Sequence, residues 1–141
     1  MINRLSVTTI WVKDLNEALR FYTEKLGFEI RADVRNGDYR WLTVGMKTQP
    51  DLEIHLELAK AGARFTEEEA EQINKLLDAG KLGGGPWKTD DCQKAYEMLV
   101  EKGVEFLQPP TDRPYGIIES VFKDNSGNVM VLAQDKPRRQ A

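Results

Sequence analysis

Glu53-Ile54-His55-Leu56-Glu57 sets the chain's single histidine between two carboxylates at a spacing of two. In an extended strand, successive side chains point to opposite faces. Glu53, His55 and Glu57 therefore share one face, and Leu52, Ile54, Leu56 and Leu58 take the other. A one-residue slip would turn the carboxylates inward, which their desolvation cost opposes. An imidazole titrates near neutrality, and a carboxylate beside it can orient it as a general base. A histidine and a carboxylate two apart can also hold a metal on one strand face. The blander alternative, a histidine lining a cavity and bonding to a ligand or a neighbouring strand, is preferred. No catalytic residue is assigned, because no serine or cysteine lies in a recognisable nucleophile motif.

Other chemistry-bearing residues are weaker candidates. Arg113 and Tyr115 stand in Pro109-Pro110-Thr111-Asp112-Arg113-Pro114-Tyr115-Gly116, expected to be a rigid loop, where they can rim a ligand site or brace the loop. Cys92 falls on the apolar face of a helix and is expected to be a buried, inert thiol. Gly83-Gly84-Gly85-Pro86 lacks the Gly-Lys-Ser/Thr ending of a phosphate loop and is expected to be a flexible link.

Composition narrows the function classes. The 141 residues are 40% hydrophobic and 30% charged, an ordinary globular composition. A formal charge of −3 argues against a nucleic-acid platform. No apolar run reaches the roughly 18 residues of a membrane span, and Met1-Ile2-Asn3-Arg4-Leu5 lacks a signal-peptide core. With one cysteine there is no intrachain disulfide framework, so a cytoplasmic location is expected. The basic cluster Lys136-Pro137-Arg138-Arg139 reads as a solvated end, with the chain mobile beyond Gln134.

Two copies of one unit must position these residues. Asp14 and Glu17 form a capping-box pattern, and Leu15, Ala18, Leu19 and Tyr22 make one apolar helical face ending at Gly27. These four positions align with Cys92, Ala95, Tyr96 and Leu99 at a constant offset of 77. The glycine stops, Gly27 and Gly103, differ by 76, so one copy is a residue shorter. Strands are expected at 7–12, 28–33, 39–44 and 52–58, then at 87–88, 104–107, 117–123 and 129–133. Thr66 and Glu69 open an inserted amphipathic helix. The chain thus divides into a first β-α-β-β-β module (1–62), a helical insertion (63–82), a second module (83–135) and a tail (136–141).

Val12-Lys13-Asp14-Leu15, Phe21-Tyr22, and Leu26-Gly27-Phe28-Glu29 together resemble the first-module signature of the vicinal oxygen chelate superfamily. Its members include glyoxalase, bleomycin-resistance and extradiol dioxygenase proteins. Arg113-Pro114-Tyr115-Gly116, with Phe122-Lys123-Asp124-Asn125-Ser126-Gly127-Asn128, is similar to the second-module signature. The resemblance runs from about Leu5 to Gln134. It implies an α+β fold of tandem modules forming a U-shaped mixed sheet, assembled as a homodimer. It also implies metal-ligand positions, which fall at Val7, at Gly84 or Gly85, and at Val131, and none of these side chains binds a metal. A fourth position falls in the strand carrying Glu53, His55 and Glu57.

Trp11, Trp41, Glu53, His55, Glu57, Arg113 and Tyr115 are therefore expected to line a small-molecule cavity. The expected occupant is flat and partly apolar, with a cationic or donor group. The expected function is metal-free ligand binding or sequestration, with no cofactor. The alternative is a metal-dependent lyase or dioxygenase with relocated ligands. The sequence leaves open whether the modules pair within one chain or across the two chains of a dimer.

Overall fold

A computed structural model of the chain describes residues 1–137. The elements run β1 (Val7–Val12), α1 (Leu15–Arg20), β2 (Glu29–Asn36), β3 (Tyr39–Gly45), β4 (Glu53–Leu58), α2 (Glu67–Asp78), β5 (Trp87–Lys88), α3 (Cys92–Glu101), β6 (Phe106–Asp112), β7 (Ile117–Lys123) and β8 (Val129–Asp135). The fold is α+β, with two β-α-β-β-β modules and α2 between them. Each module contributes a four-stranded mixed sheet, in orders β1-β4-β3-β2 and β5-β8-β7-β6. In both, the first strand runs parallel to the last and the remaining pairs are antiparallel.

The repeat is visible in the helix caps. Asp14 accepts from Glu17 N at 2.8 Å and Asp91 accepts from Lys94 N at 3.0 Å, each filling a free amide of the first turn. The full reciprocal capping box occurs at α2, between Thr66 and Glu69. α1 continues as a π-helical turn over Phe21–Lys25, with Leu26 N reaching back to Phe21 O at 3.1 Å. Phe28 N then donates to Tyr22 O at 2.9 Å, and in the second module Val104 N donates to Leu99 O at 3.0 Å. Tyr22 and Leu99 are equivalent positions, so the same closing bond spans one more residue in the first module. The unequal offset is located there.

Alternation in β4 is as expected. Ile54 and Leu56 are fully buried against the helix side, with Val12, Leu42 and Val44. Phe21 and Tyr22 cover them, and Phe122, Met130 and Leu132 of the second module join the same core. Burying each large aliphatic side chain is worth about 1.5–3 kcal/mol. Polar contacts stitch the modules beside that core. Tyr22 Oη donates to Asp124 Oδ2 at 2.7 Å, and Asn128 Nδ2 donates to Trp11 O at 2.8 Å. Lys13 N donates to Ser126 Oγ at 3.0 Å. At the tip of that turn Gly127 has φ +104°, and a Cβ there would sit 2.3 Å from Leu77 O of α2. Only glycine fits so close an approach.

Two expectations are corrected. The segment 109–112, read as a rigid loop, is the end of strand β6. β6 lies at a sheet edge, where an outward N–H has no ladder partner, so Pro109 and Pro110 are tolerated. The chain beyond Gln134 was expected to be mobile, yet β8 runs to Asp135 and Lys136 N donates to Gly116 O at 2.9 Å. Arg138 and Arg139 lie outside the described residues. Among the described residues, no helix is long and apolar enough to cross a membrane.

Candidate functional site

The face of the first sheet opposite α1 carries the candidate residues. The register places Thr9 beside His55 and Trp11 beside Glu57 on β1 and β4, with Thr43 of β3 on the other side of His55. The His55 ring stacks on Trp41 with centroids 4.1 Å apart and planes inclined by 26°. Its Nδ1 lies 3.4 Å from Thr9 Oγ1, and its Nε2 lies 3.2 Å from Glu57 Oε2 and 3.4 Å from Tyr39 Oη. Tyr39 Oη also donates to Glu57 Oε2 at 3.1 Å. This pattern suits a neutral imidazole with its proton on Nε2, donating to Glu57 and accepting from Thr9. Glu53 turns to a different partner, accepting from Thr43 Oγ1 at 2.7 Å.

Sequence reasoning missed Arg64 and Phe65. They stand in the segment joining β4 to α2 and cover Trp11, Phe65 edge-on at 5.2 Å. The Arg64 guanidinium lies 5.1 Å from the Trp11 centroid and 5.4 Å from that of Phe65. A cation was expected on the aromatic wall, and the chain supplies one itself. One signal was available: Phe65 immediately precedes the N-cap Thr66, where an apolar residue commonly packs back onto its helix.

Burial is the main influence on His55, which is 7% exposed, and it pushes the imidazole below its ordinary value. Glu57 opposes that shift and Arg64 adds to it. The histidine is therefore neutral at pH 7, and the sign of its pH effect follows. The unfolded chain takes up the proton first as pH falls, so this contribution to stability is complete above about pH 6.5 and is lost as pH drops through the lowered value. Proton NMR should give His55 an apparent pKa below 6.5. His55→Gln should flatten the corresponding part of the stability–pH curve.

The structure does not bring all the candidates together. Arg113 and Tyr115 lie in the second module, and their polar partners are there too. Arg113 Nε donates to Glu119 Oε1 at 2.8 Å, Arg113 Nη2 to Gln108 Oε1 at 2.9 Å, and Tyr115 Oη to Glu119 Oε1 at 2.9 Å. Glu119 and Gln108 were not foreseen, because each lies on a strand separate from the turn they clamp. A hollow of about 720 Å³ opens beside the first sheet, with Thr9, Thr48 and Gln49 among its lining residues together with Gly83–Gly85.

The donor set does not suit the metal that the family resemblance implies. Val7 pairs with Glu53 in the β1–β4 register, Val131 pairs with Val121, and Gly84 carries no side chain. Glu53 is committed to Thr43, which leaves His55 and Glu57. Among the described residues, no three His, Cys, Asp or Glu groups converge closely enough to hold a metal ion.

Known proteins share this architecture. The protein YurT of Bacillus subtilis (strain 168) is 37% identical over 132 residues, covering 93% of this chain and 98% of that protein. The crystal structure of UcmS2 superposes with a TM-score of 0.89 at 41% identity, covering 96% of this chain and all of the other. TnmS3, described as an antibiotic binding protein from Streptomyces sp. CB03234, superposes with a TM-score of 0.74 at 28% identity, covering 96% and 98%. Residues 4–132, spanning most of both modules, match that superfamily's family model. By sequence and by fold, the chain belongs to the Glyoxalase/Bleomycin resistance protein/Dioxygenase superfamily.

Proposed function

We propose that the chain binds and sequesters a flat, partly apolar small molecule on the inner face of its first sheet, without a metal and without chemistry on the ligand. The observation that carries this is the Trp41–His55 stack beside a row of satisfied polar groups, a surface that offers contact area and fixed hydrogen-bonding edges. The likeness to TnmS3, an antibiotic binding protein, supports it. Arg64 already occupies a face of Trp11, so the ligand that fits best is neutral or electron-rich rather than cationic. His55 serves as a hydrogen-bonding wall and not as a base, since its ring nitrogens are engaged by Thr9, Tyr39 and Glu57.

The working assembly is a two-fold homodimer. Among the described residues, the side chains of Arg113 and Tyr115 bond only within their own module, which suits a rim completed by the partner's first sheet. Light scattering is expected to give twice the 16.1 kDa chain mass.

The test is a tryptophan-fluorescence screen of planar neutral and cationic compounds against wild type and Trp41→Ala. Neutral hits are expected to bind the variant about 1–3 kcal/mol more weakly. Equal binding to both proteins rejects the site. Elemental analysis of protein purified without chelators separates the enzymatic alternative. A stoichiometric divalent metal that disappears in His55→Ala overturns sequestration without chemistry.

A further inference from the structure

On the helix side of the sheets, away from His55 and Trp41, a hollow of about 370 Å³ opens between the end of α1 and α3. Phe28, Met46, Trp87, Leu99, Phe122 and Leu132 contribute to its apolar wall. Phe28 and Trp87 face one another at 5.5 Å across the module seam, so each half of the chain supplies one aromatic side. The charged residues that line it are all of one sign: Lys25, Lys88 and Lys102, with no carboxylate among the lining residues. Lys88 is paired with Asp135. Lys25 and Lys102 make no ion pair among the described residues. Lys102 Nζ lies 3.5 Å from the carbonyls of Glu24 and Lys25, at the outer limit of a hydrogen bond. The size falls at the lower end of small-ligand sites.

We propose that this hollow is a second ligand site, taking a compact amphipathic monocarboxylate. The apolar body lies against Phe28, Trp87 and Leu99, and the carboxylate sits between Lys25 and Lys102. Two ammonium groups without ion pairs, Lys25 resting over the Phe21 ring at 5.8 Å, stand beside an apolar hollow and reward an anionic head joined to an apolar tail more than either feature alone. A neutral ligand of the same shape forfeits the head contacts. A dianion would bring a second charge into the apolar wall, where nothing pairs with it.

Calorimetry with straight-chain carboxylates tests the site on the full chain. Affinity should climb up to about fourfold per methylene from hexanoate to decanoate, the increment of a buried CH₂ group. Decanoate should bind at least tenfold more tightly than decanol. K25Q/K102Q, at exposed or half-buried positions that leave the core intact, should erase that difference, and Met98→Glu should repel decanoate while sparing decanol. Trp41→Ala should leave decanoate binding unchanged, which keeps this site distinguishable from the one on the inner sheet face. The inference fails if decanoate and decanol bind alike, or if K25Q/K102Q has no effect. It fails too if Trp41→Ala weakens decanoate. Absence of any decanoate binding at millimolar concentration also overturns it, and is the result expected if a second copy of the chain covers the hollow.

Discussion

Replacing Asp124 with alanine is expected to lower stability by about 3–5 kcal/mol, roughly 10–20 °C in melting temperature for a chain of this size. The carboxylate is buried and accepts from Tyr22 Oη, from the backbone of Ser126 and Asn128, and from Asn128 Nδ2, all within 2.9 Å. Alanine leaves Tyr22 Oη and the backbone amides of Ser126 and Asn128 without that partner in the interior, while Asn128 Nδ2 keeps Trp11 O, and an unmet buried donor costs more than a made bond returns. Asp124→Asn keeps the volume and one acceptor oxygen, so it should fall between wild type and alanine. Tyr22 gives the same contact a pH signature. Burial first, then the Asp124 charge, pushes its phenol well above the ordinary value. The unfolded chain loses that proton first, so this contribution to stability is complete below about pH 10 and is lost as pH rises above it. Thermal melts should show an alkaline decline that Tyr22→Phe reduces, the raised phenols of Tyr39 and Tyr115 supplying the remainder.

Gly127→Ala is expected to cost more than about 2 kcal/mol, with Gly127→Val worse. Two effects add: a positive φ that a side chain disfavours, and a Cβ 2.3 Å from the carbonyl oxygen of Leu77. Gly116→Ala separates them. Its φ is +85° but nothing lies within 4 Å of the added carbon, so only the backbone term, about 1 kcal/mol, should appear. Chemical denaturation of the two variants side by side reads the difference. Equal losses would mean that α2 yields freely at its C-terminal end.

Much of this architecture was legible because it is local. The alternation in β4 fixes its two faces without reference to the rest of the chain, and Asp14 and Thr66 mark helix starts that the structure keeps. The Pro109-Pro110 pair misled because whether proline can enter a strand depends on the strand's place in the sheet, and no short window contains that information. The candidate site was partly legible for the same reason. Trp11, Trp41 and His55 follow from strand parity, whereas Arg64 arrives over Trp11 by the path of a connection with no period. The module seam was out of reach altogether. Tyr22 and Asp124 are 102 positions apart, and nothing near either residue names the other.

The widened turn at Phe21–Lys25 also absorbs a difference in length between the two modules. The two modules repeat one pattern, and at this point their lengths do not agree. A residue gained or lost within a regular helix rotates everything after it by about 100°, which would have carried Phe28 out of the core. Absorbing the change as a π turn kept the exit direction, so Gly27 and Phe28 still occupy the places that Gly103 and Val104 hold in the sister copy. The helix end that lines the lysine-rimmed hollow is thus the point at which the two halves of the fold differ in length, with the difference confined to a single turn.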